Sequence, residues 1–110
     1  MAYAATRLTA SDQLLELAES LQQHEGFSEV LASLASGHAA TLDGVWGSSC
    51  ALAAAALARH APATLVVVCP RLEDVDGFLD DFSLFSRIAP QRFPAQETLR
   101  GEQALLDEAV

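Results

Sequence analysis

Thr64-Leu65-Val66-Val67-Val68-Cys69, set between Pro62 and Pro70, is an apolar, β-branched run without a charge. A strand covered on both faces reads this way, continuous rather than alternating, so the run predicts a buried parallel strand. On its N-terminal side lies an alanine-rich helix over 48–60, ended by Pro62. Before that helix stands a short apolar run at 39–42. On the C-terminal side Leu72, Val75, Phe78, Leu79, Phe82 and Phe85 recur at steps of three and four, the spacing of a helix with one buried face. Residues 88–93 supply a third short strand, 94–99 a loop and 100–110 the start of another helix.

Two further helices precede this β-α-β-α-β order. Leu14, Leu15, Leu17, Ala18 and Leu21 predict a helix over 12–23 with Ser11 and Asp12 as capping residues, and Gly26 breaks it. Phe27, Val30, Leu31 and Leu34 mark the second, which Gly37 ends as a left-handed cap. The pattern therefore predicts an α/β fold. It is a short parallel sheet with crossover helices, preceded by two N-terminal helices. Residues 1–37 form the helical segment and 38–110 the α/β part. The final helix runs to the end of the sequence, as expected of a piece of a longer chain.

Composition narrows the function. The 110 residues carry 6 basic and 15 acidic groups for a net charge of -9, with 51% hydrophobic and 19% charged residues. At this length roughly 65% of the unfolded surface can be buried, and a positive mean hydropathy argues for folding. All basic residues are arginines, singly scattered, and lysine is absent. Without a basic stripe to displace phosphate counterions, direct nucleic-acid binding is not expected. Lysine-dependent chemistry is excluded. No apolar stretch approaches the about 20 residues of a membrane span, and 1–10 lack a secretory signal, which points to a cytoplasmic protein. Cys50 and Cys69 lack metal-ligand spacing and read as reduced, small hydrophobes.

Residues 44–51, Gly44-Val45-Trp46-Gly47-Ser48-Ser49-Cys50-Ala51, stand between a strand and a helix, where a phosphate-binding loop belongs. Laid on Gly-x-x-x-x-Gly-Lys-Ser/Thr, Gly44 matches the first glycine. Ser49 replaces the second glycine, Cys50 the lysine and Ala51 the magnesium-binding hydroxyl. Close backbone approach, the cation on the phosphates and the metal ligand are lost together. Gly44, Gly47, Ser48, Ser49, Cys50 and Ala51 thus form a vestigial nucleotide loop.

The order 42–52, then 64–70, then Phe93-Pro94-Ala95-Gln96-Glu97-Thr98-Leu99, resembles the start of bacterial transcription-repair coupling factors, the Mfd family. The resemblance spans about Leu14 to Val110. It departs at Gln96, where an aromatic is usual, and at Arg100-Gly101, where Pro-Tyr tends to follow. The N-terminal module of that family is similar to the excision-repair helicase UvrB but has a degenerate nucleotide loop. The resemblance implies a partial P-loop, helicase-like three-layer domain that serves as a catalytically inactive scaffold in a protein that displaces stalled RNA polymerase, translocates on double-stranded DNA and recruits UvrA. ATP and magnesium would be used only by C-terminal motor domains, so no cofactor and no metal is expected here. Partners would be the other domains of the same protein. The alternative is the nucleotide-binding domain of a UvrB-type repair helicase with an atypical loop, against which the missing lysine speaks. A third reading is a stand-alone adaptor with an acidic face.

Other candidates have simpler readings. His24, His38 and His60 lack a carboxylate or second histidine at ligand spacing, and His60 suits a helix C-terminus. Asp74, Asp76, Asp80 and Asp81 mostly follow the solvent side of a helix, so a hydrated acidic face is preferred over a metal or acid cluster. Asp74, Asp80, Asp81 and Glu97 are possible partner contacts, although the stretch around Glu97 is most simply a strand exit with Pro94 fixing the turn. Trp46 either fills the evacuated phosphate pocket or packs in the loop against the sheet. The apolar helix over 48–60 either expects a covering element from elsewhere or is a tightly packed crossover.

Overall fold

The computed structural model describes residues 9–93. They form four helices: α1 (Ala10–Leu21), α2 (Glu25–Ala35), α3 (Ser48–Ala58) and α4 (Leu72–Phe85). Each of the four helices has the periodic segment expected of it, with boundaries shifted by a few residues.

The start of α1 is set by Thr9 rather than by Ser11. The Thr9 hydroxyl accepts from the Asp12 amide at 3.1 Å, and the Thr9 amide donates to the Asp12 carboxylate at 3.2 Å. This reciprocal capping box satisfies two backbone donors that the first helical turn leaves open. Hydrogen bonds from the Thr9 hydroxyl and then its amide hold the Asp12 carboxyl below its ordinary pKa; slight desolvation opposes this, and the Arg87 charge adds to the lowering. Because the folded-state pKa is depressed, the stabilisation is present above the unfolded-state pKa and is lost as pH falls through the folded one. Thr9→Ala is expected to cost about 1 kcal/mol in chemical denaturation. In the same variant the Asp12 titration, followed by NMR, should move upward.

Helix α2 ends in a Schellman motif. Gly37 takes φ 83°, its amide donates to the Leu34 carbonyl at 3.0 Å, and the His38 amide donates to the Ser33 carbonyl at 3.0 Å. The left-handed conformation explains the glycine.

Helix α3 organises the core. Ala53, Ala54, Ala55 and Ala56 are all buried, and four successive residues at about 100° per residue run most of the way round a helix. Alanine at each lets neighbouring helices approach closely. Helices α1 and α4 pack against α3 and against each other. Ala18 of α1, Phe27 of α2, Ala51, Ala54, Ala55 and Ala56 of α3, and Phe82 and Phe85 of α4 form one cluster. Leu14, Leu21, Leu31 and Phe78 pack around it.

The expected α/β architecture is not found. Among the described residues there is no strand and no sheet; they are helices joined by turns and irregular connections. Residues 39–42 and 88–93 are irregular, as is 64–69, where Val66 is 76% and Val68 85% exposed. The reason lies in what β-propensity measures, which is fit to a pleated, half-buried surface rather than a backbone state the residues adopt alone. That surface is not supplied here. The buried apolar residues of α1, α3 and α4 pack on one another, helix on helix, rather than on a sheet. Parallel pairing also needs two runs side by side, and the three apolar runs are joined in no ladder. The loop at 94–99 and the helix at 100–110 lie outside the described residues.

This correction makes a direct prediction. The double substitution Val66→Lys/Val68→Lys replaces two exposed side chains and should change unfolding free energy by no more than about 0.5 kcal/mol. A loss of several kcal/mol in denaturant titration would mean that the run is buried.

Candidate functional site

The loop that carries the nucleotide-like pattern leads into α3. Gly44 and Gly47 take φ 76° and 62°, left-handed values that a side chain resists. Both glycines are therefore demanded by the path of the chain. The Asp43 carboxylate accepts from the Gly44 amide at 3.0 Å, which fixes the first turn. Gly47 is the N-cap of α3 and offers no side-chain acceptor.

The amides that would meet a phosphate are partly used within the loop. The Ser49 amide donates to the Trp46 carbonyl at 3.3 Å and the Cys50 amide to the Gly47 carbonyl at 3.1 Å. The Ser49 hydroxyl also donates to the Trp46 carbonyl, at 2.9 Å, and so does not cap the helix. Ser48, Ser49 and Cys50 are exposed, whereas Ala51 is buried in the core cluster. Its position, where the magnesium-binding hydroxyl would stand, lies in the core rather than at solvent. Trp46 is 80% exposed. The indole fills no phosphate pocket, and no sheet exists among the described residues for it to pack against.

The acidic residues of α4 are spread. Asp74 is half-buried and accepts from the Arg71 guanidinium at 3.3 Å, Asp76 pairs with Arg92, Asp80 is exposed and Asp81 half-buried. Among the described residues no group of three or more His, Cys, Asp or Glu side chains is placed to hold a metal ion. Cys50 and Cys69 are free thiols, and His24 precedes α2 as its N-cap without a side-chain bond. Glu97 lies outside the described residues.

One feature had no sequence signal. A cleft of about 530 Å³ opens between α1, the middle of α3 and the end of α4, floored by Leu15, Ala55, Phe85 and Ile88. Two ion pairs edge it, Arg59 with Glu19 at 3.8 Å and Arg87 with Asp12 at 3.6 Å. These partners are distant in sequence. The acidic side of α1 is legible from its spacing; which arginines meet it is decided by packing. All four side chains are substantially exposed, so each pair contributes little to stability.

No helix among the described residues is long and apolar enough to cross a membrane. No protein-family model matches the chain, and no curated protein or solved structure matches it.

Proposed function

We propose that this chain is a catalytically silent module of a cytoplasmic transcription-repair coupling factor, acting through contacts with other domains of that protein. In this reading RNA polymerase, UvrA and double-stranded DNA are partners of the whole protein, while ATP and magnesium serve its motor domains. The observation that carries the silent assignment is the chemistry of the loop before α3. Phosphoryl transfer is mostly electrostatic positioning by a lysine, a metal and free amides. Here Cys50 stands in the lysine position, Ala51 is buried where the metal-binding hydroxyl belongs, and the Ser49 and Cys50 amides bond to carbonyls of their own loop. Membership in coupling factors rests on the resemblance at 42–52, 64–70 and 93–99.

Titration with Mg-ATP and Mg-ADP tests the silent assignment. The exposed indole of Trp46 lies within the loop and reports directly on occupancy. Calorimetry should give no heat, and Trp46 fluorescence should stay constant, up to millimolar nucleotide. Saturable micromolar binding would overturn the assignment and favour an unconventional nucleotide site.

A further inference from the structure

We draw no further inference here: the strongest candidate, the exposed apolar run at 64–69 between α3 and α4, is an unpartnered surface, and nothing in the structure shows what covers it.

Discussion

Phe82→Ala is expected to lower the unfolding free energy by about 3–5 kcal/mol, the usual range for emptying a buried phenylalanine site. Phe82 is only 5% exposed, and it joins α4 to the alanine face of α3. Alanines cannot close the resulting void, because they have no longer rotamer to swing into it. The ring also stacks on Phe78 with centroids 5.9 Å apart, a contact worth about 0.5–1.5 kcal/mol beyond area. Domains of this size have total stabilities of about 5–15 kcal/mol, so the variant should be partly unfolded or melt more than about 10 °C lower. Calorimetric melting and urea titration give the number. Phe78→Leu, at a half-buried neighbour, should cost clearly less. A loss below about 1 kcal/mol at Phe82 would show that α4 does not seat on α3 through this ring.

The aromatic face of α4 is also where the sequence is most informative. Phe78, Phe82 and Phe85 recur at helical spacing, and the structure buries Phe82 and Phe85. Gly37 announces its Schellman turn for an equally local reason, since few other residues adopt its backbone angle. Thr9 was less visible. Ser11 and Asp12 are better-placed capping types by simple inspection, and only the reciprocal bonds between Thr9 and Asp12 distinguish a first helical turn from a cap.

What the sequence does not carry is the identity of neighbours. The run at 64–69 has the composition of a buried strand, but a strand is a relation between chain segments, and its own residues specify no partner. Helix α3 shows the converse. Its all-round apolar surface implies burial on several sides, and α1 and α4 provide that without a sheet. The candidate loop divides in the same way. The left-handed angles at Gly44 and Gly47 follow from residue type, and the loss of lysine chemistry follows from Cys50. The outward indole of Trp46 and the arginine pairings across the cleft follow from packing that no local pattern encodes.

Ala56→Asp has the second large effect, and it turns the burial of α3 into a charge experiment. Ala56 is 0% exposed and, unlike Ala55, lies away from the cleft. A carboxylate placed there loses its water within the apolar core cluster, and among the described residues no buried polar side chain is there to receive it. The expected cost is several kcal/mol, enough to unfold the chain near neutral pH. Volume contributes as well, since overpacking alone costs about 1–3 kcal/mol, and Ala56→Leu isolates that part. Charge is then separated by pH. Desolvation raises the folded-state pKa of the new carboxyl above its unfolded value of about 3.9, so the folded state holds the proton more tightly. Stability must therefore fall as pH rises through this interval and recover on acidification, whereas Ala56→Leu shows no such added dependence. Ser48→Asp puts the same charge on an exposed position at the N-terminus of α3, where the helix dipole favours it by about 0.3–1 kcal/mol. Opposite signs for these two aspartates within one helix are expected if α3 is the buried centre of the domain. Equal, small effects in circular-dichroism melts would place Ala56 at the surface and remove the helix-on-helix core.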